Sequence, residues 1–117
     1  MHILKRNFID SAGVLYEKKG LHKEAVKAFS EALIIDPSHI PSLVSIAVVL
    51  KRLGNSEVIV KSFLMNALSV DRMNHFAWYN LGLLYKSHGS PSSLSEAAEC
   101  FEAAVFLEES APVEPFR

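Results

Sequence analysis

The side chains in this sequence that could bind a metal ion or act as a nucleophile are five histidines and one cysteine. They are His2, His22, His39, His75, His88 and Cys100. No two histidines are four residues apart, the spacing that places two ligands on one face of a helix. The sequence also contains no Gly-x-Ser-x-Gly motif and no glycine-rich phosphate loop. We therefore expect no catalytic residues, no metal and no cofactor, and a protein that is not an enzyme.

The composition is that of a folded chain with little net charge. Half of the 117 residues are hydrophobic, and 12 Lys and Arg stand against 13 Asp and Glu. This balance predicts no affinity for nucleic acid. A single cysteine cannot form an internal disulfide, which indicates a reducing setting. The most apolar stretch, residues 43–50, is too short to cross a bilayer. We expect a cytoplasmic protein without membrane insertion, whose only route to the plasma membrane is through partners.

The residues that must position any site fall into a repeating pattern. Gly13, Tyr16 and Gly20 have the same spacing as Gly82, Tyr85 and Gly89. Further along, the spacing of three residues is again the same: Ala25, Phe29, Ala32 in the first copy and Ala97, Phe101, Ala104 in the later one. The later copy has three more residues between its two halves, within the serine-rich stretch 87–95. A weaker copy with Ala47, Leu50, Gly54, Leu64 and Ala67 lies between them.

This pattern resembles the tetratricopeptide repeat, a helix-turn-helix unit of about 34 residues. The segment Trp78–Tyr85 is its most specific match. The resemblance implies one all-α domain over 1–117, a right-handed α-solenoid of three antiparallel hairpins. The repeats are expected at about 6–39, 40–74 and 75–109, followed by an extended tail at 110–117. Six helices are expected, at about 4–18, 22–35, 40–53, 56–70, 75–87 and 94–108.

Residue types at the expected helix ends agree with this division. Gly20, Gly54 and Gly89 suit a left-handed residue after each first helix. Asp36-Pro37 stops the second helix, and Pro41 is acceptable in the first turn of the third. Ser56 is expected to cap the fourth helix, and Ser93 or Ser95 the sixth. The stretch 87–95 is expected to be a long turn.

Longer strings resemble one particular family. They include Gly-Val-Leu-Tyr-Glu at 13–17, Ser-Phe-Leu-Met-Asn-Ala-Leu at 62–68 and Glu-Ala-Ala-Glu-Cys-Phe-Glu-Ala-Ala at 96–104. Together they look like the C-terminal part of the plant no-pollen-germination-related proteins, a calmodulin-binding tetratricopeptide family. The resemblance implies a scaffold linked to calmodulin and to a plasma-membrane lipid-kinase complex, that of phosphatidylinositol 4-kinase alpha. It assigns no calmodulin site to particular residues of this chain.

In stacked hairpins of this kind the first helices line the inner face, which is the expected partner-binding groove. Apolar, aromatic and cationic side chains are mixed there, which suits an extended or helical peptide with apolar anchors and some acidic residues. The predicted groove residues are Asn7, Asp10, Val14, Lys18, Val44, Val48, Lys51, Arg52, Phe76, Tyr79, Asn80, Leu83 and Lys86.

Two narrower ligand hypotheses are weaker. A clamp for a C-terminal carboxylate needs Lys, Asn and Arg on the inner faces, whereas Asp10 would repel a carboxylate and Phe76 cannot bind one. A calmodulin-binding helix is best sought at 58–72, but its charges nearly cancel and its apolar residues are needed for the repeat core.

The chain could instead be a structural module that docks on the rest of a longer chain or on a second copy of itself. Solenoids usually end in a polar capping helix, but after Glu109 the sequence has two prolines within eight residues. The last hairpin is then expected to expose Val105, Phe106 and Leu107. We expect the tail to fold over that face, or a second molecule to cover it and form a homo-oligomer.

Overall fold

The computed structural model describes residues 2–110, which form six α-helices and, within that range, no strand. The helices are α1 (His2–Lys18), α2 (His22–Ile35), α3 (Ile40–Arg52), α4 (Glu57–Val70), α5 (His75–His88) and α6 (Pro91–Ser110). The expected number and order of helices are confirmed. The expected tail at 110–117 lies outside the described residues, except for Ser110, which belongs to α6.

The helix ends follow from local side-chain chemistry. The glycines that follow α1, α3 and α5 have positive φ angles: 78° at Gly20, 76° at Gly54 and 81° at Gly89. A side chain is strained in this conformation, so glycine ends the helix at the lowest cost. Ser56 accepts a hydrogen bond from the Val58 amide, which confirms it as the cap of α4. Asn74 caps α5 in the same way through the Ala77 amide.

The start of α6 differs from the prediction. The helix begins at Pro91, and Ser90 caps it: the Ser93 amide donates to Ser90 Oγ at 3.2 Å. The predicted caps Ser93 and Ser95 are therefore wrong, and so is the long turn at 87–95. Proline is well suited to the first helical position, where its missing N–H has no partner to lose. The three extra residues lengthen α6 at its start instead of enlarging the loop.

Consecutive helices pair as hairpins, and small residues let them pack closely. A Cβ atom placed on Gly13 of α1 would lie 2.6 Å from Cε1 of Phe29 on α2, and one on Gly82 of α5 would lie 2.6 Å from Cε1 of Phe101 on α6. Any larger residue at these glycines would collide with the ring. The repeat spacing therefore reflects one helix-to-helix contact that both hairpins make.

The chain divides into two compact units, one ending at Arg72 and the other beginning at Met73. In the first unit, the third helix packs on the first hairpin. Phe29, Ala25, Ile46 and Val49 form a buried cluster there. Half-buried apolar side chains from four helices surround this cluster: Val14, Val26, Leu33, Leu50 and Phe63. The second unit contains α5 and α6, with Leu81, Leu84, Ala97 and Cys100 buried.

Candidate protein-binding surfaces

In the first unit, a polar chain of contacts fixes the N-terminal end of α3 on the first hairpin. Ser42 is fully buried, and its hydroxyl donates to Asp10 Oδ1 on α1 at 2.8 Å. His39 Nδ1 lies 2.7 Å from the same hydroxyl. Because the hydroxyl proton goes to Asp10, its oxygen accepts the proton of His39 Nδ1. Asp10, a predicted groove residue, therefore joins α1 to α3.

A salt bridge lies beside these contacts and shifts the ionisation of its neighbours. Arg6 Nη1 is 2.7 Å from Asp36 Oδ2. The hydrogen bond from Arg6, with one from the Ser38 amide, lowers the pKa of Asp36 below its ordinary value. Burial lowers the pKa of His39, and the charge of Arg6 adds to this, against the opposing carboxylates of Asp10 and Asp36. Arg6 also donates to Asn7 Oδ1, from Nε at 3.2 Å and from Nη2 at 3.0 Å.

The other end of α3 is held by a second ion pair. Arg52 Nη1 lies 2.7 Å from Glu17 Oε2 on α1. Between the two polar ends, Val14 packs against the buried cluster around Phe29. Three predicted groove residues, Asp10, Val14 and Arg52, thus hold α3 on the first hairpin. Of the others in this unit, Lys18 is exposed on α1, and Val44, Val48 and Lys51 are half-buried on α3.

The second unit has a cavity of about 710 Å³ between α5 and α6. All five groove residues predicted for the third repeat line it: Phe76, Tyr79, Asn80, Leu83 and Lys86. The aromatic side chains are half or more exposed, at 61% for Phe76 and 50% for Tyr79. Large exposed aromatic side chains around a cavity are typical of a surface that a partner covers.

Contacts on α5 and α6 hold the aromatic side of the cavity. The rings of Tyr79 and Phe101 are 5.8 Å apart, inclined at 48°. His75 and Phe76 have ring centroids 4.3 Å apart. Asn80 Nδ2 donates to the Phe76 carbonyl one turn earlier at 2.9 Å. The Asn80 donor therefore serves its own helix.

Charge is distributed unevenly along the cavity. Glu108 and Glu109 lie at the end of the cavity formed by the start of α5 and the end of α6. His75 Nδ1 is 3.7 Å from Glu108 Oε2 at this end. Lys86 lies in the last turn of α5, at the opposite end. The cavity thus has an acidic end and a basic end with apolar side chains between them.

Sequence reasoning missed the side of this cavity that α6 supplies. Ala104, Val105, Glu108 and Glu109 line it with Phe101. The sequence did predict that Val105 and Phe106 on α6 are exposed. This is confirmed, since they are 57% and 68% exposed. Leu107 is half-buried. A second cavity of about 390 Å³ continues along α6 and is lined by Phe101, Glu102, Val105, Phe106 and Glu109.

Residues 2–110 contain no group of three or more His, Cys, Asp or Glu side chains arranged to hold a metal ion. Cys100 is buried in the second unit. Over the same part of the chain, no helix combines the length and the apolar character needed to span a bilayer.

Comparison with known proteins defines the class. A tetratricopeptide-repeat sequence profile matches residues 10–39. The first tetratricopeptide domain of Spaghetti (RPAP3), solved with an HSP90 peptide, superposes with a TM-score of 0.81 and 21% identity, covering 92% of this chain and 82% of that one. The Sgt2 domain from Aspergillus fumigatus gives 0.80 at 20% identity, covering 94% and 70%. The chain is an all-α tetratricopeptide-repeat solenoid, as its repeat spacing predicted.

Closer relatives confirm the resemblance to the plant family. Protein NPGR2 of Arabidopsis thaliana is 58% identical over 107 residues, which cover 90% of this chain. Protein NPGR1 of the same plant is 45% identical over 92% of the chain, and human tetratricopeptide repeat protein 7B is 33% identical over 97%. The chain spans only 14%, 15% and 13% of the lengths of these three relatives.

Proposed function

We propose that this chain is a protein-interaction module that binds a peptide or helix of a partner protein. The binding residues lie on the inner faces of the first helix of each hairpin, which are α1, α3 and α5. The observation that carries the proposal is the cavity between α5 and α6, where the five predicted residues of the third repeat lie together. Exposed aromatic side chains next to a cavity supply large contact area at low entropic cost, which makes them common binding anchors. The solved tetratricopeptide domain of Spaghetti holds a peptide, which supports this use of the fold.

The bound segment should be anchored by apolar side chains rather than by a C-terminal carboxylate. Asp10, at a position where a carboxylate clamp would need a donor, accepts from Ser42. Asn80, the one chemically similar residue, donates to its own helix. A carboxylate tail would therefore find few donors on these faces, whereas Phe76 and Tyr79 offer apolar area.

The predicted groove residues of the first unit have a smaller part in the proposal. Lys18 is exposed, Val44, Val48 and Lys51 are half-buried on α3, and Asn7 accepts from Arg6. We propose that these residues of the first unit also contact a partner protein. The second unit supplies the principal anchors because its apolar side chains are more exposed.

Calmodulin and a plasma-membrane lipid-kinase assembly are the finer partners that the family resemblance implies. Residues 58–72 are a poor calmodulin site, because α4 buries Val60, Leu64 and Leu68 in the first unit. Calmodulin would have to pull this helix out of the core to reach those anchors. We therefore propose that any such partner meets the folded surface, at a cytoplasmic or peripheral membrane location.

The alternative is a structural module without an independent ligand, which docks on the rest of a longer chain or on its own copy. The exposed Val105 and Phe106 favour this second candidate, since an apolar helix face of this kind is usually covered. It predicts that isolated chains associate with one another or with flanking segments and with no other protein.

Partner capture with surface variants tests the proposal. Wild type, Val48→Glu with Tyr79→Ala, and the control Ile34→Glu are immobilised and compared for the proteins they retain. Ile34 is 80% exposed and lies outside the proposed surface. Loss of the same retained proteins in the double variant but not in the control supports the proposal. Equal recovery by all three chains overturns it.

A further inference from the structure

The two hairpins that share the glycine–phenylalanine contact can be compared position by position. Gly13 and Gly82 meet Phe29 and Phe101 at the same two shortest distances. Residues 69 apart on α1 and α5, and residues 72 apart on α2 and α6, are therefore counterparts. The pairs that matter are Arg6 and His75, Asp10 and Tyr79, Val14 and Leu83, Glu17 and Lys86, Leu33 and Val105, and Asp36 and Glu108. The Arg6–Asp36 and His75–Glu108 pairs, 2.7 Å and 3.7 Å apart, make the same connection between helices in both hairpins.

In the first unit, these positions form the surface of the first hairpin on which α3 packs, which we call the seat of α3. Asp10 binds Ser42, Glu17 binds Arg52, and Val14 and Leu33 pack against the cluster that includes Ile46 and Val49. Phe29, in the middle of the seat, is completely buried.

In the second unit, the counterparts line the 710 Å³ cavity. Tyr79 and Val105 are 50% and 57% exposed there, and Phe101, the counterpart of the buried Phe29, is partly exposed. The cavity therefore has the position of a helix seat rather than that of a small-molecule pocket.

We propose that this cavity binds one amphipathic helix of a partner protein in the way that α3 lies on the first hairpin. The proposal rests on the proposed function and specifies its ligand. By the pattern of α3, the helix presents apolar side chains at the positions equivalent to Ile46 and Val49, which are four and seven residues after the position equivalent to Ser42. Tyr79 stands where Asp10 does, so the Ser42 place also takes an apolar side chain.

Charge complementarity determines which residue is favoured near the C-terminus of the bound helix. Arg52 of α3 meets Glu17, but the counterpart of Glu17 is the cation Lys86. The partner helix should therefore carry Asp or Glu at the place of Arg52.

The helix dipole gives the same orientation as α3. The N-terminus of a helix carries partial positive charge and suits the end with Glu108 and Glu109, and its C-terminus suits the end with Lys86. Both charge terms thus favour one direction of binding.

The other occupants fit less well. A second copy that presented its α1 or α3 would place the cations Lys18 or Lys51–Arg52 against Lys86. Residues 111–117 are seven residues with prolines at 112 and 115. Prolines at these positions oppose the helix that the cavity would hold.

The test uses the α3 sequence itself as the probe. Two fluorescent, hydrocarbon-stapled peptides of residues 39–53 both carry Ser42→Leu, and one also carries Arg52→Glu. Their affinities for the 117-residue chain are measured by anisotropy at low salt. The acidic peptide should bind about five-fold more tightly, which is the order expected when a surface charge pair changes from repulsive to attractive.

Charge exchange locates the contact. Lys86→Glu should reverse the preference between the two peptides, whereas Lys27→Glu, an exposed lysine on α2 outside the cavity, should leave it unchanged. If Tyr79→Ala weakens both peptides but Lys86→Glu does not alter their ratio, a protein-binding surface remains and the α3-like arrangement is overturned. Failure of the acidic peptide to bind also overturns it, and partner capture still judges the broader function.

Two further outcomes would assign the cavity to another occupant and overturn the proposal. One is a dimer in sedimentation that Val105→Glu dissociates, which indicates a second copy. The other is much tighter peptide binding by a chain ending at Ser110, which indicates that residues 111–117 compete for the cavity. A monomer with equal affinity in both lengths supports a partner helix.

Discussion

Gly13 lies directly against the ring of Phe29, so closely that a Cβ atom would be 2.6 Å from Cε1 and 2.8 Å from Cδ1. Gly82 and Phe101 repeat this contact at the same two distances. The surroundings of the rings differ, because Phe29 is completely buried and Phe101 is partly exposed. A buried ring cannot move away from a new methyl group, whereas an exposed ring has space to do so.

The first prediction compares Gly13→Ala with Gly82→Ala. Gly13→Ala should lower the free energy of unfolding by about 1–3 kcal/mol through overpacking against Phe29. Gly82→Ala should cost less, since Phe101 can turn outward and alanine is favoured over glycine in a helix by about 1 kcal/mol. Urea denaturation of both variants checks the order. An equal loss in both would contradict the difference in ring freedom.

The second prediction tests the counterpart relation between Leu33 and Val105. Leu33 packs against the buried cluster of the first unit, and Val105 is 57% exposed. Leu33→Glu should destabilise the chain by more than about 3 kcal/mol, because it places a charge in an apolar contact. Val105→Glu should change stability by less than about 0.5 kcal/mol. Thermal melts of the two variants measure this, and a large loss for Val105→Glu would show that its face is already covered.

The third prediction concerns the buried hydrogen bond of Ser42. Ser42→Ala should cost about 1–2 kcal/mol, because Asp10 and His39 both lose a partner. Asp10→Ala should cost a similar amount, and the double variant less than the sum, since the residues share one network. Chemical denaturation of the four chains gives the coupling energy. Strict additivity would show that the two residues act independently.

The fourth prediction is a dependence of stability on pH. His39 has a pKa below its ordinary value of 6.5, so between these values the unfolded chain binds more protons than the folded one. The free energy of unfolding should therefore rise with pH through this interval and fall on acidification. The lowered pKa of Asp36 adds a further loss as the pH falls below 3.8. His39→Asn, which keeps a donor, should flatten the first slope and leave the second, in denaturation curves measured from below pH 3.8 to above pH 6.5.

The fifth prediction tests the observed cap of α6. Ser90→Ala should cost about 1 kcal/mol, because the Ser93 amide loses its acceptor. Ser95→Ala, an exposed position inside the helix, should be close to neutral or slightly favourable. Circular dichroism melts distinguish the two, and a greater loss at Ser95 would restore the sequence-based assignment of the cap.

The repeat spacing was enough to predict six helices, because glycine, alanine and aromatic positions are fixed by close contact between paired helices. It was not enough to place the start of α6, where Pro91 reads equally as a turn or as a first helical residue. For the cavity between α5 and α6, the predicted groove residues supplied only the α5 side. The contribution of Val105 and Glu108 depends on how α6 lies beside α5, and no residue pattern within either helix contains that relation.

The uneven length of the third hairpin also has a practical consequence. The three extra residues lengthen α6 at its start, and the Gly82–Phe101 pair keeps the two shortest distances of its shorter counterpart. This junction therefore separates chain length from helix packing. A short affinity tag or a fluorophore inserted between Gly89 and Ser90, ahead of the cap of α6, should be accepted there without changing the packing of the pair.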